Sequence, residues 1–354
     1  MARRAAILPP LAALGGVGAL TIAVAIGGPH LTKDGWSTGT VVGAVALLVG
    51  VGLLVAVARS LRSARWGPRI LAGVGTFILL GLSLLTLGQA LAANWVPHAA
   101  VTRTPIDVGL DAEGVRLRTS DGVELAGWYV APRNGSAVVV AHGAGSTRSS
   151  VLDQAAVLVE NDYGVLAVDA RGHGDSHGRA MDFGWWGDED IRAAVDFLAH
   201  RPEVHHIAAL GLSMGGEEAL GAMAADDRIE AVVAEGATIR VADDRDWLSD
   251  RFGWRGVVQE WLESATTWFA DRFTSADPPI TLRQAVDRAR PRPVLLITAG
   301  EVADEAHAAG WIRAGSPESV TVLEVDRASH TAGLRTDPDL WETTVVEFLD
   351  DALT

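Results

Sequence analysis

Apolar positions fall into two regimes along the chain. Over the first 94 residues they run almost unbroken, in stretches at 5–28, 41–58 and 70–93. Each approaches the roughly 20 residues that a helix needs to cross a hydrocarbon core, so three transmembrane helices are predicted. Pro9 and Pro10 lie near the start of the first stretch, which places the expected start of that helix near Leu11. Beyond a connector at 95–110, marked by Pro97 and Pro105, apolar runs shorten to strand length. Segments 115–119 and 123–130, joined by Ser120-Asp121-Gly122, read as a β-hairpin. The run at 137–141 is continuously apolar, as a strand buried on both faces is, and further strands are read at 165–169, 207–212, 231–234, 294–297 and 320–325. Between them lie helical patterns such as 188–199, where Ile191, Val195 and Leu198 share one face. A last helix is expected after Asp337-Pro338, an N-cap followed by a proline at the first helical position. Strands alternating with helices over 111–354 predict an α/β fold: a mostly parallel, doubly wound sheet preceded by an antiparallel hairpin.

Charge sharpens this division. The net charge is −15, yet residues 1–94 hold Arg3, Arg4, Lys33, Arg59, Arg62, Arg65 and Arg69 against Asp34 alone. The remainder is therefore more acidic than the whole, which disfavours nucleic acid as a partner. Arginines precede the first apolar stretch and fill the loop between the second and third, which puts both on the cytoplasmic side and everything after residue 93 outside. The stretches themselves carry no ionisable residue, which suits an anchor better than a transport path. The chain has no cysteine, hence no disulfide and no thiolate chemistry. No His/Asp spacing makes a metal site, and no Gly-Lys-Ser/Thr follows Gly143 and Gly145 as a phosphate loop requires; neither cofactor nor metal is expected.

The candidate chemistry centres on Gly211-Leu212-Ser213-Met214-Gly215, where an apolar strand meets a helix-forming segment. A nucleophile on so sharp a turn needs small neighbours two residues away on either side. With it stand His142-Gly143-Ala144-Gly145, the stretch Asp169-Ala170-Arg171-Gly172-His173-Gly174-Asp175-Ser176 and Ala328-Ser329-His330. In these motifs and their order, residues 111–354 resemble the α/β-hydrolase superfamily. They look most like its membrane-associated serine hydrolases, which include lysophospholipases and depalmitoylases, and like its serine aminopeptidase branch.

That resemblance implies Ser213 as nucleophile and His330, the only histidine after the last strand, as its base. It implies an oxyanion hole from the backbone N–H groups of Met214 and Ala144. The acid should follow the strand at 294–297, but Ala303 stands where the family commonly has an aspartate. Asp304 is the expected acid, with Glu301, Glu305 and Glu235 as alternatives. His142 is expected to brace the oxyanion loop, and 171–176 to form a tight structural turn. The implied reaction is hydrolysis of a carboxylic ester of a small-molecule or lipid-like acyl substrate. A peptidase, a thioesterase or a catalytically idle, membrane-tethered binding module remain alternatives.

Residues 238–290 interrupt the strand–helix alternation where this superfamily carries a lid. Trp247, Trp254, Trp261 and Trp268 recur there every seven residues, so a helix would place them on one face. Gly253 and Gly256 argue against one continuous helix. The tryptophans are expected either in a lid core or on an acyl-binding or membrane-facing surface.

Overall fold

Valines and alanines that leave no polar gap build the centre of the sheet. The computed structural model describes residues 2–353, with side chains from residue 9. Two compact units emerge: residues 1–97 with Trp261–Ser275, and residues 98–260 with Ala276–Thr354.

In the second unit eight strands form one sheet: β1 Glu113–Arg118, β2 Glu124–Val130, β3 Ser136–Ala141, β4 Gly164–Val168, β5 His206–Leu212, β6 Ile229–Glu235, β7 Val294–Ala299 and β8 Val320–Val325. Their spatial order is β1-β2-β4-β3-β5-β6-β7-β8. β1 pairs antiparallel with β2 and β2 with β4, while the pairs from β4 through β8 are parallel. The doubly wound sheet with its antiparallel hairpin is thus the observed fold. Alternation along each strand sends side chains to opposite faces. Val139, Ala209, Val232 and Leu296 enter one core with Ile191, Val195 and Leu198; Val138, Leu210, Val233 and Leu295 enter the other with Leu158, Trp341 and Val345. The helices that supply these partners are Leu152–Glu160, Gly187–Ala199 and Pro338–Ala352. Asp337 caps the last of them, accepting from Leu340 N at 3.2 Å with Pro338 at the first helical position.

In the first unit, three helices are long and apolar enough to cross a membrane: α1 Pro9–Lys33, α2 Thr38–Ser60 and α3 Trp66–Asn94. The helix leading into α1 begins at Ala2 and continues through Pro9 and Pro10 rather than starting at Leu11. Proline's fixed φ is compatible with a helix, and each proline removes one backbone donor. The side chains of Arg3 and Arg4, on which the expected orientation partly rests, lie outside the described residues. α1 and α2 pack through small residues: a Cβ on Gly43 would stand 2.2 Å from Gly27 Cα, so only glycine permits this approach. Thr21 Oγ1 and Ser83 Oγ share a hydrogen bond of 2.8 Å between α1 and α3.

Candidate active site

β5 ends in a residue with an unusual backbone. Ser213 has φ 52° and ψ −120°, a conformation costly for a residue with a Cβ. The strand partner holds it there, since Ser213 N donates to Glu235 O at 2.7 Å. Helix Met214–Ala225 starts at the next residue and folds back over the strand. A Cβ on Gly211 would meet Gly215 C at 2.1 Å, and one on Gly215 would meet Ala141 O at 2.5 Å. The two glycines are therefore a steric requirement of the turn that presents Ser213.

His330 Nε2 lies 2.9 Å from Ser213 Oγ, across 117 residues of sequence. Its Nδ1 lies 2.6 Å from Glu305 Oε1. The second Glu305 oxygen accepts from Ala299 N at 2.8 Å, and its side chain is 2% exposed. The Glu305 hydrogen bond, opposed by burial and reinforced by the charges of Glu305, Glu217 and Glu235, raises the His330 pKa above its ordinary value.

Asp304 does not occupy this position. Its side chain is half exposed and faces Arg245 at 3.4 Å. Both residues lie in the first turn of helix Ala303–Arg313, where successive side chains point about 100° apart, so 305 faces inward and 304 outward. Glu301 is exposed. Glu235 is buried and engaged elsewhere: it accepts from Gly333 N at 2.7 Å and Trp341 Nε1 at 2.9 Å. It thus ties the loop carrying His330 to both β6 and the final helix. The sequence signal for Glu305 was the absence of an acid at Ala303, which required a helical turn to bring a later, longer side chain round.

Ser213, His330, Gly143 and Ala144 line one cavity of about 1010 Å³. Leu212, Val157, Leu334 and Pro338 supply apolar wall, and Ser146, Ser150 and Arg335 supply polar wall. Met214, the other expected oxyanion donor, is buried at the start of its helix, directly after Ser213. His142 is buried beneath the Gly143–Ala144 loop. Its Nε2 accepts from Ala170 N at 3.0 Å, so its Nδ1 carries the proton and donates to Gly143 O at 2.8 Å. Burial, with the nearby His173, pushes its pKa down to about 3, so the ring stays neutral. The 171–176 turn is built on buried Asp169, which pairs with Arg148 and accepts from Asp175 N at 2.9 Å.

Glu217, in the first turn of the helix after Ser213, is fully buried and accepts from Thr238 N at 2.9 Å and Ile239 N at 3.0 Å through one oxygen. Burial pushes its carboxyl up to about 7.

Residues 132–295 match the model of the family described as serine aminopeptidase, S33. That match ends before Glu305 and His330. A thiohydrolase of Aspergillus aculeatus is 34% identical over 126 residues, 34% of this chain and 40% of that protein. An uncharacterized protein of Mycobacterium tuberculosis (strain H37Rv) is 30% identical over 146 residues, 40% of this chain and 51% of that protein. The chain thus spans about half or less of these relatives. Among solved structures, an esterase from Pyrococcus furiosus superposes with a TM-score of 0.57 at 22% identity, covering 73% of this chain and all of the other. An α/β hydrolase from a Penicillium species gives 0.55 at 18% identity, covering 69% and 99%.

Proposed function

We propose that this member of the α/β-hydrolase superfamily is a membrane-anchored serine hydrolase that cleaves a carboxylic ester of a lipid-like or other small acyl substrate. One observation carries the reading: an unbroken hydrogen-bonded line from Glu305 through His330 to Ser213, at 2.6 and 2.9 Å, opening on a large cavity. Its electrostatics suit the task, because a hydroxyl needs a base poised near neutrality and a carboxylate to stabilise the cation formed.

In this reading Ser213 Oγ attacks the substrate carbonyl while His330 Nε2 takes the Oγ proton. Negative charge develops on the carbonyl oxygen and is received by the Met214 and Ala144 N–H groups, each contributing a few kcal/mol to transition-state stabilisation. His330 then gives the proton to the leaving alkoxide, and an acyl-enzyme remains on Ser213. Water, deprotonated by His330, attacks the acyl carbon; the carboxylic acid leaves and Ser213 regains its proton. Glu305 touches neither substrate nor water. It fixes the His330 tautomer and balances its charge.

The proposed division is an anchor at 1–94, a connector at 95–110 and a hydrolase domain at 111–354 with a lid at about 238–290. Arginines at 59, 62, 65 and 69 support a cytoplasmic loop between α2 and α3, and with it an extracytoplasmic hydrolase domain.

Labelling with a fluorophosphonate probe tests the core of the reading. Wild-type protein is expected to react and Ser213→Ala is not; an unlabelled but folded wild type would favour the idle binding module. A panel of p-nitrophenyl esters of graded chain length, thioesters and aminoacyl anilides then separates substrate classes. The thioester arm has its own support in the relative named a thiohydrolase.

A further inference from the structure

The tryptophan heptad lies mostly on a single helix, and that helix has two different faces. Trp254–Phe273 is continuous through Gly256, against the expectation of a break; Gly253, at φ 59°, ends the short helix before it. Of the four tryptophans only Trp247, outside this helix, is buried. Trp254, Trp261 and Trp268 are 73%, 56% and 52% exposed. Seven residues fall about 20° short of two turns, so the three form one slowly drifting stripe.

The other face is occupied by the apolar helices. Phe273 packs its ring edge-on to Trp95 at 5.4 Å and joins the cluster of Ile26 and Leu91. Buried Thr266 donates through Oγ1 to Leu262 O at 2.9 Å in its own helix, and the same oxygen lies 3.4 Å from Leu85 O. This contact sets Thr266 level with Leu85 of α3. Exposed Trp66 marks the start of α3, and about 20 residues at 1.5 Å each traverse the roughly 30 Å core. Counting from Ile70, just beyond the loop arginine Arg69, the far acyl–headgroup boundary falls at Gln89, about one turn beyond Leu85. The remaining turns of α3, through Asn94, stand in the headgroup layer. Thr266 is therefore held at the depth that tryptophan side chains prefer. Arg272 stacks its guanidinium 3.7 Å over the Trp268 ring and donates to Trp268 O at 2.9 Å and to Asp271 at 3.3 Å, which steadies that ring at the helix surface.

We infer that helix Trp254–Phe273 is an interfacial helix whose Trp261 and Trp268 insert at the acyl–headgroup boundary of the outer leaflet. This rests on the membrane reading above. The occupant of the stripe is lipid, because the contacts that cover the opposite face come from helices whose own outer surfaces face lipid. The protein then holds its bilayer in two ways, by three crossings and by one shorter helix that runs beside the outer end of α3, Thr266 level with Leu85 and Phe273 with Leu91 and Trp95.

The absence of cysteine makes the test direct. The full chain is reconstituted in phosphatidylcholine–phosphatidylglycerol nanodiscs with a nitroxide on a single introduced cysteine: Trp261→Cys, Trp268→Cys, Leu48→Cys on exposed mid-α2, or Glu160→Cys on the exposed hydrolase surface. Collision rates with oxygen and with a nickel chelate report depth. At 261 and 268 the oxygen-to-nickel ratio is expected several-fold above that at 160 and below that at 48. Water-like values at 261 and 268 beside a lipid-like value at 48 overturn the inference and leave the anchor intact. Water-like values at 48 as well overturn the membrane reading itself. Protection from both reagents at 261 and 268 means that protein, a second copy or another part of the chain, covers the stripe, which also overturns the inference. If the cysteine variants fold poorly, quenching by brominated lipid supplies the readout: the conservative pair Trp261→Phe and Trp268→Phe is expected to lose a measurable share of the quenchable fluorescence, the rest coming from exposed Trp36, Trp66 and Trp254, and unchanged quenching rejects the proposal.

Discussion

At the residue scale, the proposed mechanism separates two neighbouring carboxylates that composition cannot distinguish. Glu305→Gln is expected to lower kcat/KM at least about 100-fold, the scale of a lost general-base partner, while Asp304→Asn changes it little. The pH profile adds a sign. His330 must be neutral to accept a proton, and Glu305 raises its pKa, so activity climbs as pH rises through that raised value. Removing the Glu305 charge lowers the His330 pKa, and the acidic limb of kcat/KM should move to lower pH in the residual activity of Glu305→Gln. An unmoved limb would mean that another group controls it. Glu217 makes a separate prediction about stability. Its folded pKa of about 7 exceeds the ordinary 4.5, so the folded state binds the proton more tightly and loses stability as pH rises from about 4.5 to 7. Glu217→Gln, whose single amide oxygen can serve both Thr238 and Ile239, should gain on wild type across that window by on the order of a few kcal/mol. Urea midpoints at several pH values measure the difference, and a constant gap between the two proteins would contradict it.

At the scale of elements, most of the fold was open to reading because burial on both faces leaves an unmistakable mark. Val138, Val139 and Val140 all have nowhere polar to point, and the sequence there shows no alternation. The turn that presents Ser213 was legible for a related reason: sterics exclude everything but glycine at 211 and 215. Gly211→Ala and Gly215→Ala are expected to destabilise by more than the usual 1–3 kcal/mol of overpacking, since the obstructing atoms are backbone and cannot rotate away. Thermal denaturation of the two variants, or their failure to accumulate as folded protein, reads this out. The carboxylate that meets His330 was illegible because it depends on helix phase. Whether residue 304 or 305 turns inward is set by where helix Ala303–Arg313 starts, and a boundary uncertain by one residue rotates the choice by about 100°. Helix Trp254–Phe273 was misjudged at Gly256 for the opposite reason. A glycine costs a helix about 1 kcal/mol, yet here it permits a close approach, a Cβ at that position falling 1.9 Å from Leu248 O.

For the whole molecule, the two units were announced by the switch from long apolar runs to strand-length ones. The assignment of Trp261–Ser275 to the N-terminal unit was not announced, because that segment is separated from the apolar helices by more than 160 residues. Local pattern carries no record of such distant packing. The Glu235 clamp has a consequence on a different axis, that of time. Glu235 grips Gly333 and Trp341 while its strand supports Ser213, so one side chain ties the loop carrying His330 to the final helix. A ribosome-bound chain that already contains Ser213, Glu305 and His330 still lacks that fastening. In the proposed mechanism, competence therefore waits on the docking of helix Pro338–Ala352, which is made after Ser213, Glu305 and His330.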